Sequence, residues 1–198
     1  MIRERQMTWF ADMSPYTFFP LRNAEAAVPT LNVGWLELGR PFPTGEVPAD
    51  FVARLALLVE HAPTQSTRGL HWCDLCPPTP QDAIDWSDPN KSHACGHAEI
   101  RAIGSDGTRF AAPTLVHHYV AIHRYAPPQA FVDAVMRAAN VTWYEAFARD
   151  VCFACGAELE RRGSPEKALR GGREPVLVVW MACHRCGTDY SRWCPATE

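Results

Sequence analysis

Cys152-Phe-Ala-Cys155-Gly156 and Cys183-His-Arg-Cys186-Gly187 decide how the carboxy-terminal part of this chain can fold. Two cysteines separated by two residues turn both thiolates toward one point. The glycine that follows lets the backbone double back and aim its amides at the sulfurs. Two such turns supply the tetrahedral set of four sulfurs that zinc prefers. Residues 156–182, twenty-seven of them excluding the cysteines, separate the two halves. The apolar run Pro175 to Ala182 reads as a strand entering the second turn, and Thr188 to Trp193 as a strand leaving it. This is the layout of a zinc ribbon with a closed, structural Zn2+ site, although four thiolates also suit iron in a rubredoxin-like site. Metal binding of about 10 kcal/mol or more then replaces the core that so short a module lacks. Cys194 lies outside the pattern and reads as a buried or unpaired thiol.

A similar turn lies upstream, in His71-Trp-Cys73-Asp-Leu-Cys76-Pro77, and it needs two further ligands. A helix is expected over residues 114–123, with Pro113 in its first turn. It carries His118 and His123 with four residues between them, a spacing found in Cys2His2 sites. His117 cannot share a helix face with His118. The expected zinc set is therefore Cys73, Cys76, His118 and His123. A local set of Cys73, Cys76, Cys95 and either His93 or His97 is the rival.

The remaining pattern is α+β. Pro48-Ala49-Asp50 opens a helix whose apolar residues Phe51, Leu55, Leu58 and Val59 recur at helical spacing. Asn32 to Leu38 and Gly69 to Cys73 read as short strands. Ala98 to Ile103 and Thr108 to Ala111 flank Ser105-Asp106-Gly107, a hairpin signal. A third helix is expected from Gln129 to Ala139, and a short fourth from Val141 to Arg149. Residues 77–92 read as an exposed loop. The division expected is a mixed domain over residues 1–140, with a hairpin and three helices tied by zinc, and a ribbon over residues 141–198.

Composition narrows the function classes. Eight cysteines stand in a chain of net charge -3 and pI near 6.2, a balance that argues against bulk phosphate binding. The amino terminus lacks the continuous apolar segment of a secretory signal, and the longest apolar stretch, Phe51 to Val59, is too short to span a bilayer. The expected setting is the reducing cytoplasm, away from membranes, where paired cysteines read as metal ligands rather than disulfides.

The segments Cys73-Asp-Leu-Cys76, Gly96-His-Ala-Glu99-Ile100 and His118-Tyr119-Val120-Ala-Ile-His123-Arg-Tyr125-Ala-Pro127-Pro128-Gln-Ala-Phe131 occur in one order. Together with Met7-Thr-Trp9-Phe10-Ala-Asp12 and Asn32-Val33-Gly34-Trp35-Leu36, they resemble a widespread bacterial family of uncharacterised function over about residues 7–138. In that family the paired cysteines and the His-Tyr-Val-x-x-His segment recur together. The resemblance thus favours Cys73, Cys76, His118 and His123. It implies no activity, and it leaves the carboxy-terminal ribbon as an addition.

Two activities compete with the reading of a binding or adaptor protein for an unidentified protein partner. His97-Ala98-Glu99 carries the H-x-E of zinc deaminases, with Glu99 as proton shuttle. The later paired cysteines lack the preceding proline, however, and Glu99 opens a strand rather than a helix. A hydrolytic zinc at the first site is a looser version, but two thiolates reduce its Lewis acidity. Nucleic acid is the other alternative, through Arg161, Arg162, Lys167, Arg170 and Arg173 in the loop between the ribbon turns. Yet residues 139–198 carry eight basic and eight acidic residues, so the bland reading of that stretch is a solvated loop.

Overall fold

The computed structural model describes residues 9–19, 29–67, 69–77, 95–137, 143–170 and 174–195. Three small sheets and four helices are seen among them. The central sheet takes the order β1-β5-β4, from Thr30–Asn32, Arg109–Pro113 and Glu99–Ile103; β1 runs parallel to β5, and β4 pairs with β5 as an antiparallel hairpin. A two-stranded piece joins β2 (His71–Trp72) to β3 (Cys95–Gly96). The third sheet, in the order β6-β7-β8, comprises Glu160–Arg170, Glu174–Ala182 and Asp189–Pro195.

The hairpin forms where Asp-Gly predicts it. Gly104 N–H donates to the Thr108 carbonyl at 2.8 Å, Asp106 Oδ1 accepts from Thr108 N–H at 3.0 Å, and Gly107 takes a φ of 88° that suits glycine. Every residue of β4 is buried. The strand period of two therefore sends Ile100 and Ala102 into the apolar core and Glu99 and Arg101 to the other face.

Helix α1 (Ala49–His61) buries Phe51, Leu55 and Leu58, each side chain contributing about 1.5–3 kcal/mol by transfer from water. It meets α3 (Gln129–Arg137) and α2 (Val116–His123) over the sheet. The fourth helix, α4 (Trp143–Ala148), leads to the cysteine-rich module. One apolar cluster runs from Phe51, Leu55 and Phe131 through Cys152 and Phe153 to Val179, Met181 and Tyr190. The module therefore packs against the rest rather than hanging beside it.

Three expectations need correction. The strand expected at Asn32 to Leu38 is Thr30–Asn32 instead. Gly34, with a φ of 71°, turns the chain off the sheet, and its N–H donates to Asp12 Oδ1 at 2.9 Å. Pro113 is not in a helix: it pairs with Glu99 at the end of β5, so α2 starts at Val116. The basic stretch expected as a loop is β6, an edge strand on β7. Its residues have weak strand propensity, but β7 is buried at Val176, Val178 and Val179 and offers its backbone for pairing. Gly163-Ser164-Pro165 is accommodated by a register shift between Arg162 and Glu166, where a proline without N–H is tolerated. Most of the loop expected at residues 77–92 lies outside the described residues.

Candidate metal centres

The second and third cysteine turns share one backbone solution. Gly156 N–H donates to the Cys152 carbonyl at 2.7 Å and Gly187 N–H to that of Cys183 at 2.8 Å, with φ of 73° and 78° at the two glycines. Each turn is closed at its base, by Cys152 N–H to the Ala157 carbonyl at 2.7 Å and by Cys183 N–H to that of Thr188 at 2.9 Å. The result brings Cys152, Cys155, Cys183 and Cys186 together, with their sulfurs within 4.8 Å of one another. Cys152 and Cys186 are 3.5 Å apart, and Cys155 and Cys183 are 3.4 Å apart.

The first turn, Cys73 to Cys76, faces α2. His118 and His123 stand five residues apart, about 140° around a helix, and reach a common point through their distal nitrogens. Their Nε2 atoms are 3.2 Å apart, and Cys76 Sγ lies 3.2 Å from His118 Nε2. His123 Nε2 lies 3.3 Å from both Cys73 Sγ and Cys76 Sγ. Arg124 ends α2 in the left-handed conformation, and Tyr125 N–H reaches back to the Tyr119 carbonyl at 3.0 Å. The hydroxyl of buried Tyr125 then donates to Asp12 Oδ2 at 2.7 Å, anchoring the helix end that carries His123.

Bonds of about 2.3 Å to sulfur and 2.0–2.1 Å to nitrogen imply tetrahedral edges of about 3.3–3.8 Å. The separations at both groups approach these edges. Each group can hold a metal ion with all four corners drawn from the protein. The electrostatics agree. Burial pushes the Cys73 thiol up to about 12 and lowers His123, keeping its imidazole neutral. In the four-sulfur group, hydrogen bonding among the thiols drives Cys183 and Cys155 down and Cys152 and Cys186 up. Four sulfurs this close cannot all lose their protons unless a cation compensates.

Several supporting residues escape a reading of the sequence. The hydroxyls of Tyr190 and Thr188 lie 3.1 Å from the sulfurs of Cys152 and Cys186, placed to donate to them once a metal holds the sulfurs as thiolates. Burial, and then the two thiols, raises Tyr190 so that its hydroxyl keeps its proton. Arg109 of β5 donates from Nε to the Arg185 carbonyl at 2.8 Å and from Nη2 to that of His184 at 2.9 Å, gripping the turn between Cys183 and Cys186. Arg54 of α1 donates to the Phe153 carbonyl at 3.1 Å and lies over its ring. Tyr190 and Thr188 follow Cys186 by four and two residues, a signal that was available. Nothing local marks Arg54 or Arg109.

Among the described residues, Cys73 and Cys76 group with His118 and His123 and not with His97. His97 is exposed and belongs to neither group, His93 lies outside the described residues, and nothing is described of the Cys95 side chain. Glu99 is also committed elsewhere. Tyr16 donates its hydroxyl to Glu99 Oε1 at 2.7 Å, and Arg101 pairs with Oε2 at 2.7 Å, with Glu99 and Arg101 only 2% and 3% exposed. Burial raises the Glu99 carboxyl above its usual range, while Arg101 and Tyr16 oppose the rise. Glu99 borders a cleft, but none of the four ligands on Cys73, Cys76, His118 and His123 lines it. Among the described residues, His97 and Glu99 do not share a metal group with paired cysteines. Of the five basic residues, Arg161 and Lys167 are exposed on β6, and Arg162 pairs with Asp189 at 3.1 Å. The Arg170 side chain and Arg173 lie outside what is described.

Fold and sites together define an α+β protein with two converging four-ligand groups that can hold metal ions. The chain belongs to the family of the Domain of unknown function (DUF7919), which matches residues 8–136. The match includes the first ligand group and ends before the four-cysteine group. No curated protein and no solved structure matches the chain. Among the described residues, no helix is long and apolar enough to cross a membrane.

Proposed function

We propose that both groups hold zinc in closed, structural sites, that the four-cysteine module is a zinc ribbon, and that the protein acts in the cytoplasm as a binding or adaptor protein. The observation that carries this reading is the convergence of four protein donor atoms at each group, all within 4.8 Å of one another. With every corner of the tetrahedron filled, no position remains for a reactive water, so the metals serve architecture. Sulfur and imidazole donors in a tetrahedron favour zinc over calcium or magnesium, which take oxygen.

Elemental analysis of the purified protein, with X-ray absorption at the metal edge, tests the reading. Two zincs per chain are expected, one with four sulfurs and one with two sulfurs and two nitrogens. Iron with a coloured thiolate charge-transfer band at the four-cysteine site would overturn the assignment there. A zinc with three protein ligands and a water would favour a zinc-dependent hydrolase instead.

A further inference from the structure

An apolar cleft opens beside the first ligand group and is separated from it by Tyr119. The Tyr119 ring lies between the two regions: it lines the cleft, and its centroid is 6.2 Å from that of His118 and 6.4 Å from that of His123. The other walls come from Phe18, Trp35, Leu36, Ala98 and Leu115. These residues sit on three separately anchored parts of the fold. Trp35 Nε1 donates to the Ala111 carbonyl at 3.2 Å, Thr64 and Glu99 exchange backbone hydrogen bonds at 2.7 and 2.8 Å, and Leu115 lies at the start of α2. The cleft is therefore preformed. Its predominantly apolar lining with a few polar groups is of the kind found in small-molecule sites.

We propose that this cleft binds an uncharged aromatic molecule of one or two rings. Flat walls from Phe18, Trp35 and Tyr119 favour a planar ligand, since ring–ring contacts add about 0.5–1.5 kcal/mol beyond area burial. Among the described lining residues Glu99 carries the only carboxylate, and its charge is already answered by Arg101 and Tyr16. The described lining contains no lysine or arginine, so it offers an ionic partner no permanent, unanswered charge. Its other polar groups belong to Gln65, Thr67, His71 and His97; both histidines are exposed, and the Thr67 hydroxyl already serves backbone carbonyls. One hydrogen-bonding edge on the ligand, turned outward to Gln65, His71 or His97, completes the match.

Titration of the full-length, metal-replete protein with 2-naphthol, followed by the naphthol's own fluorescence, tests the assignment. One saturable equivalent is expected, displaced by indole and at least tenfold less readily by benzoate or benzylamine. Ala98→Phe fills the cleft and is expected to weaken binding at least tenfold while metal content is retained. A second measurement on the unaltered protein stands independently of that variant's folding: on adding 2-naphthol, the methyl resonances of Leu36, Ala98 and Leu115 should shift while those of Val176 and Val178 stay. Absence of saturable binding, several weak equivalents, shifts centred elsewhere, or a tenfold preference for a charged ring would each overturn the proposal. The zinc assignment is read out separately by the metal count and does not fall with it.

Discussion

At Arg101 the fold holds a guanidinium with almost no solvent, answered by one carboxylate. Replacing it by methionine leaves Glu99 buried with only the Tyr16 hydroxyl. Breaking a buried pair in this way costs roughly 3–5 kcal/mol, measurable by urea unfolding. The pH dependence has a definite sign. Arg101 lowers the Glu99 carboxyl, so its loss raises a group that burial already holds high. A raised folded-state pKa adds stability below the unfolded value, and that stability is lost as pH rises through the folded one. The deficit of Arg101→Met should therefore be largest at neutral pH and shrink as the solution is acidified toward the carboxylate range. Gly34 makes a second residue-scale case. A Cβ there would sit 2.8 Å from Val116 Cγ2, and φ is +71°. Gly34→Ala should lower stability by roughly 2–4 kcal/mol, combining left-handed strain with overpacking. A cost under half a kcal/mol in thermal or urea unfolding would contradict the packing described.

Among the elements, β5, together with α1, joins the two halves of the molecule. It is central in its sheet, and Arg109 at its first residue grips the carbonyls of His184 and Arg185. Hydrogen bonds to a buried charge contribute about 1.5–3 kcal/mol each. Arg109→Met should cost roughly 2–4 kcal/mol by that measure and accelerate amide hydrogen exchange at Cys183 and Gly187 at least tenfold, with α3 unchanged. Unaltered protection at those two amides would mean that the ribbon turn is held by its own metal alone. The elements also show where local reading succeeds. Asp106-Gly107 and the helical spacing from Phe51 to Leu58 identified the hairpin and α1 because turn chemistry and amphipathic period act within a few residues. β6 was not legible, because its pairing comes from the buried valines of β7 rather than from its own charged sequence.

For the whole molecule, one apolar cluster embraces both metal groups, so loss of metal should be felt throughout. Chelation strong enough to strip both sites is expected to lower the melting temperature by at least about 10 °C, given the free energy that structural zinc contributes. Retention of an unchanged, cooperative melt by protein shown to be metal-free would refute a structural role. Protons must leave when metal enters. With the Cys73 thiol at about 12 in the metal-free state, binding at neutral pH expels its proton, so affinity must fall as pH falls. Calorimetric titration in two buffers of different ionisation heat measures the protons released, and zero release would contradict the ligand set.

By itself the sequence determined the eight metal-ligating candidates and the types of most elements. Cysteine pairs, a helix bearing two histidines and an Asp-Gly turn each act through chemistry confined to a short stretch. Only the tertiary structure decided that the His118 and His123 rings meet Cys73 and Cys76, that Tyr16 reaches Glu99 across 83 residues, and that Arg109 grips a turn 75 and 76 residues away. The cleft walled by Trp35, Leu115 and Tyr119 belongs to the same class. These side chains are ordinary in type, and their roles arise only when packing removes water from between distant parts of the chain and brings each buried charge or ring to its partners.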